Sequence, residues 1–136
     1  MPVIDTNVLI YDTVEDSKYH EKAKDILDSI DPWSIPSIVI YEYVWFFKRQ
    51  NYGPKEVKTL LENYLTDPRK KIITEDADHS INSLNILEDE NLSLNHYNDM
   101  VILSSTKGSD RSIATFDDKL RSIADRYEVE LIPETI

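Results

Sequence analysis

With 136 residues, 40% hydrophobic and 10% aromatic, the chain has the size and apolar content of one folded domain and no room for a second, so residues 1–136 are expected to form a single unit. The absence of cysteine excludes a disulfide framework, a thiolate zinc site and a cysteine nucleophile. A formal net charge of -11 opposes non-specific attraction to a phosphate backbone, which comes largely from Lys and Arg, although positive charge clusters at Lys48-Arg49, Lys55 to Lys58 and Arg69-Lys70-Lys71.

Along the chain, short strand-like apolar runs alternate with helical ones, the pattern of an α/β domain with a mostly parallel sheet. Val3-Ile4 opens as a buried strand. Asp5 and Asn7 interrupt the apolar residues that follow and no basic flank precedes them, so a signal peptide or membrane span is not expected and the expected location is the cytoplasm. An amphipathic period from about Lys18 to Ile30 is stopped by Asp31-Pro32. Trp33-Ser34-Ile35 reads as the second strand. Ser37 then stands as N-cap of the most hydrophobic helix, Ile38 to about Gln50. Tyr52-Gly53-Pro54 closes that helix and starts another through Leu65. Lys71 to Thr74 reads as the third strand. A helix from about Asp76 to Asp89 follows, with Ile81, Leu84 and Leu87 in period. The next helix, Ser93 to Lys107, takes Gly108 as a left-handed stop. Ser112 to Thr115 is the fourth strand, Asp117 to Tyr127 a short helix, and Val129 to Ile132 the fifth strand. With only two glycines, the chain has neither a phosphate-cradling loop nor a dinucleotide fingerprint.

Four acids are embedded in or abut apolar runs: Asp5, Glu42, Asp99 and Asp117. A carboxylate taken from water is costly unless donors or a cation compensate it, and an oxygen-only ligand set favours a hard divalent ion such as Mg2+ or Mn2+. Each acid has a structural reading beside this one. Asp5 and Asp117 follow the first and fourth strands, at the carboxyl edge where parallel sheets bind ligands, yet both also suit a turn or helix cap. Glu42 shares a helical stripe with Ile38 and Trp45, and its structural alternative is an ion pair with Arg49. Asp99, beneath Ile102 and Leu103 on one face, is also favoured by the dipole of its helix. Four independent anomalies on two strand ends and two helices are more economically one site. His96 and Asp118 stand beside it as further candidates.

The chain resembles the PIN domain family, of the small single-domain kind found as VapC-type toxins. The matching pieces are Val3-Ile4-Asp5-Thr6-Asn7-Val8-Leu9-Ile10, Ser37 through Glu42, Asn98-Asp99-Met100-Val101-Ile102 and Ala114-Thr115-Phe116-Asp117, in an order that covers essentially the whole length. The resemblance implies a three-layer α/β/α fold with the sheet order 3-2-1-4-5. It implies metal-dependent endoribonuclease activity on single-stranded RNA, with Asp5, Glu42, Asp99 and Asp117 as the acidic quartet that holds Mg2+ or Mn2+. Thr6, Asn7 and Thr115 match the small polar positions that support it.

Two other classes compete. A non-catalytic PIN-like binding protein would use the aromatic face Tyr41, Tyr43, Trp45, Phe46, Phe47 and Tyr52, which also suggests a homodimer or a groove for an antitoxin-like helix. A phosphoacceptor receiver domain would find an acid after the third strand at Thr74-Glu75-Asp76. It lacks a lysine after the fifth, where Ile132-Pro133-Glu134 stands. A phosphatase of the HAD type fits less well still, because Asn7 occupies the place of its second nucleophile-motif acid.

Overall fold

The computed structural model describes residues 1–136. Five parallel strands, β1 (Val3–Ile4), β2 (Trp33–Pro36), β3 (Lys70–Ile73), β4 (Ser112–Ala114) and β5 (Glu130–Ile132), form one sheet in the order β3-β2-β1-β4-β5. The helices are α1 (Thr6–Thr13), α2 (His20–Ser29), α3 (Ser37–Arg49), α4 (Pro54–Leu65), α5 (Ala77–Asp89), α6 (Tyr97–Ser104) and α7 (Asp118–Arg126). Strand order reverses at β1. Right-handed crossovers therefore send α1 to α4 to one face and α5 to α7 to the other, giving three layers. Val3 and Ile4 of β1, Ile113 and Ala114 of β4 and Ile35 of β2 are fully buried, which is why these strands read as short, largely apolar runs. No helix is long and apolar enough to cross a membrane.

Several local features differ from the sequence reading. The segment after Asp5 is a helix, α1, rather than a simple turn; Val8 and Leu9 are fully buried on it and leave no periodic polar face to announce it. Ser37 does not cap α3. The Glu75 carboxylate, from the loop after β3, does so instead, with Oε1 accepting the Ile38 N–H at 2.8 Å and Oε2 accepting the Ser37 hydroxyl. The helix expected over Ser93 to Lys107 is divided into a 3-10 turn at Leu94–His96, α6, and a second 3-10 turn at Ser105–Gly108. Gly108 is not left-handed; positive φ falls at Asn51, Asn91, Arg111 and Glu128. On α5 the inward stripe is Ser83, Ile86 and Leu87, whereas Ile81 and Leu84 are exposed. The small Ser83, whose hydroxyl lies 3.4 Å from that of Ser104, lets α5 and α6 approach closely and turns Ile81 outwards.

Two polar side chains, one half-buried and one buried, lock the ends of elements together. Thr13 Oγ1 lies 2.9 Å from Tyr43 Oη and 3.0 Å from Tyr64 Oη, and so joins α1, α3 and α4 in one hydroxyl network. Arg121 on α7, only 8% exposed, donates to the backbone oxygens of Thr115 (2.9 Å), Pro133 (2.5 Å) and Glu134 (3.1 Å).

Candidate functional site

Because β1 and β4 are neighbours, the residues that follow them meet at the carboxyl edge of the sheet. Asp5 is the N-cap of α1: its Oδ1 accepts the Thr6 N–H at 2.7 Å, and its Oδ2 accepts the Thr115 hydroxyl at 2.7 Å. Thr115 Oγ1 in turn accepts the Asp117 N–H at 3.1 Å and a contact from Asn7 Nδ2 at 3.4 Å. Asn7 Oδ1 accepts the Phe116 N–H at 3.2 Å, so Asn7 and Thr115 lace the two strand ends together. Asp117 is the N-cap of α7, with Oδ1 on the Leu120 N–H at 2.8 Å. Both aspartates are thus caps, and both still face the same cleft.

Glu42 comes from the middle of α3 and Asp99 from the first turn of α6. Thr6 Oγ1 donates to Glu42 Oε1 at 2.5 Å and Asn98 Nδ2 to Oε2 at 3.3 Å, which fixes both carboxylate oxygens. Asp5, Glu42, Asp99 and Asp117 line one cleft of about 200 Å3 together with Thr6, Asn7, Ile10, Phe46 and Arg49. The stripe of α3 that carries Glu42 is not core, as Trp45 is 55% exposed; the buried stripe is Val39, Tyr43 and Phe47. Arg49 does not pair with Glu42, and Asp118 and His96 lie outside the residues that line the cleft. Asn98 as a support for Glu42 was not singled out from sequence, although it is adjacent to Asp99; Arg49, named there as an ion-pair partner for Glu42, lines the cleft without forming that pair.

No ion pair in the structure involves any of the four acids. Asp5 is consequently pushed up from 3.8 to about 7, first by burial and then by the charges of Asp99 and Glu42, against the opposing hydrogen bonds from Thr115 and Thr6. Asp99 is raised to about 6 by burial and then by Asp117 and Glu42, with His96 pulling the other way. A set of hard oxygen donors that no ion pair of the chain neutralises fits a divalent cation in kind. No three ligating side chains are assembled closely enough to grip an ion as they stand, so binding requires side-chain adjustment within the cleft. The acids after β3 are otherwise engaged: Glu75 caps α3 and Asp76 caps α5, where its Oδ1 accepts the His79 N–H at 3.1 Å. Neither is free for the receiver-domain scheme.

The family model described as PIN domain matches residues 3–126. No curated protein matches the sequence. Among solved structures, the VapC20 toxin of Mycobacterium tuberculosis, described as cleaving the sarcin-ricin loop, superposes with a TM-score of 0.73 at 16% identity, covering 90% of this chain and 94% of that one. A toxin-antitoxin complex from Klebsiella pneumoniae gives 0.62 at 22% identity, covering 88% of each chain. VapBC2 from Rickettsia felis, bound to a DNA fragment from its promoter, gives 0.64 at 20% identity, covering 89% and 91%. At these identities the likeness is one of fold.

Proposed function

The chain belongs to the PIN domain family, and from that premise we propose that it is a metal-dependent endoribonuclease acting on single-stranded RNA, the toxin of a toxin-antitoxin pair. The observation that carries the reading is the convergence on one cleft of four carboxylates, none of them held in an ion pair. The fold neighbours, one described as a sarcin-ricin loop cleaving VapC toxin and another as a toxin-antitoxin complex, support the toxin assignment and an antitoxin partner.

Asp5, Glu42, Asp99 and Asp117 would hold one or two Mg2+ or Mn2+ ions. Such ions, when bound, supply Lewis-acid stabilisation of the phosphodiester and lower the pKa of an attacking water. The rest falls to the chain. Thr6 and Asn98 fix the rotamer of Glu42, and Thr115 orients Asp5 while holding the backbone of Asp117. These hydrogen bonds keep the carboxylates as ligands in place, so that no side chain is required as a nucleophile. Arg49 on the wall of the cleft provides positive charge for a substrate phosphate.

A cytoplasmic homodimer belongs to the same reading, with the exposed Ile81 and Leu84 of α5 as apolar surface for contacts between copies. The test is cleavage of a labelled single-stranded RNA in Mn2+, in Mg2+ and in EDTA, with Asp99→Asn protein as control. Metal-dependent cutting that is lost in the variant is the expected result. Absence of cutting by folded wild-type protein on several RNAs overturns the nuclease reading in favour of a binding role.

A further inference from the structure

Beside the carboxylate cleft lies a second, larger groove of about 410 Å3, lined by Ile38, Tyr41, Glu42, Trp45, Arg49 and Asn98. Five of these residues fall at helical spacing on α3, so one stripe of one helix builds most of it. Tyr41 is 72% exposed and Trp45 55%, an unusual expense of aromatic surface in water for side chains with core-sized rings. The stripe ends in cations. Lys48 Nζ lies 4.2 Å from the centre of the Trp45 ring, and Arg49 takes part in no ion pair.

Two features select the occupant. Glu42 and Arg49 line both this groove and the carboxylate cleft, so whatever lies in the cleft continues into the groove. Exposed aromatic rings, Trp45 with Lys48 over one face, set beside cations that join no ion pair, in a chain of net charge -11, match a single-stranded nucleic acid, which offers ring faces and negative charge in alternation. Trp45 is about 5 Å along the helix axis from Glu42, and Arg49 about 10 Å. We propose that Tyr41 and Trp45 form a stacking subsite for a nucleobase beside the bond that is cut, with Arg49 on an adjoining phosphate. The inference rests on the nuclease reading and deepens it by placing the flanking strand. Since every base has a ring face, the subsite contributes affinity and register with little base preference.

The experiment uses a short single-stranded RNA and the same strand with abasic nucleotides throughout, each titrated into the protein in Ca2+, which neutralises oxygen-only sites. Trp33, the other tryptophan, is buried at 1% exposure, so the difference between wild type and Trp45→Phe isolates the Trp45 emission. The base-bearing strand should quench that emission and the abasic strand should not. Trp45→Ala should bind the base-bearing strand about tenfold more weakly with an unchanged circular dichroism spectrum. Absent quenching, equal quenching by the abasic strand, or unaltered affinity of Trp45→Ala overturns the subsite. So does a wild-type dimer that Trp45→Ala dissociates, which makes the groove a contact between copies. Failure of the nuclease reading is seen separately: base-dependent quenching without Mn2+-dependent cleavage keeps the stacking groove and removes the cutting, while cleavage with unaltered Trp45→Ala affinity does the reverse.

Discussion

Replacing Asp99 by Asn tests whether a carboxylate serves the chemistry or the fold. Nothing in the chain donates a hydrogen bond to the Asp99 side chain; its acid is raised to about 6 by burial and by the charges of Asp117 and Glu42. Unfolding returns it to the ordinary 3.8, so the folded pKa lies above the unfolded one and the charged form opposes folding. The penalty is absent below about pH 4, grows as pH rises, and is fully present above about pH 6. Roughly two pKa units correspond to about 3 kcal/mol, which solvent screening of this half-buried group reduces to about 1–2 kcal/mol. Asn keeps the shape and removes the charge. In urea denaturation with EDTA near pH 8, Asp99→Asn should therefore be about 1–2 kcal/mol more stable than wild type, with the difference closing near pH 4. Saturating Mn2+ should narrow or reverse the gap, because an ion that binds only the folded protein stabilises the wild type more. An Asp99→Asn protein that is less stable near pH 8 in EDTA, or equally stabilised at both pH values, refutes the reasoning.

Two further substitutions probe the supports. Glu75→Ala removes the carboxylate that caps α3 and should cost about 1–2 kcal/mol by urea denaturation, with Glu75→Gln recovering most of it; no change would show that the N-terminus of α3 is satisfied elsewhere. Thr115→Val leaves an oxygen of Asp5 and the Asp117 N–H without their buried partner, and should cost about 1–3 kcal/mol. Because the Thr115 hydrogen bond lowers the Asp5 pKa, the same variant should extend the fall of stability with rising pH to higher pH, a change that titration of its unfolding midpoint would detect.

The sheet was legible chiefly because its three central strands, β2, β1 and β4, are buried on both faces and so stand out as short, largely apolar runs between helices. Asp5 and Asp117 were visible for a related reason: each follows a strand, and the reversal of strand order at β1 brings those two ends together. The hydrogen bonds that tie Thr115 to Asp5 and Asn7 to Phe116 span more than a hundred residues of chain, and no local pattern encodes such pairs. The α5 stripe was misassigned because periodicity ranks Ile81 and Leu84 by hydropathy, while close helix packing is decided by the small Ser83. Gly108 failed as a left-handed stop because α6 ends at Ser104 and a 3-10 turn runs on to Gly108. Asn51, Asn91 and Glu128 take positive φ after α3, α5 and α7, where backbone bonds from Tyr52 to Phe47, Leu92 to Leu87 and Val129 to Ala124 close the helix ends locally without glycine.

The reach of Arg121 makes residues 133 and 134 part of the site's foundation. Its guanidinium grips their carbonyls and the Thr115 carbonyl at once, and the Thr115 side chain holds Asp5. A chain trimmed back to Ile132 would strand two donors of a buried cation next to the carboxylate cleft. Trimming for crystallisation, or fusing a domain in place of the last residues, would thereby alter the carboxylate cleft from a distance, whereas an extension added after Ile136 leaves the grip intact.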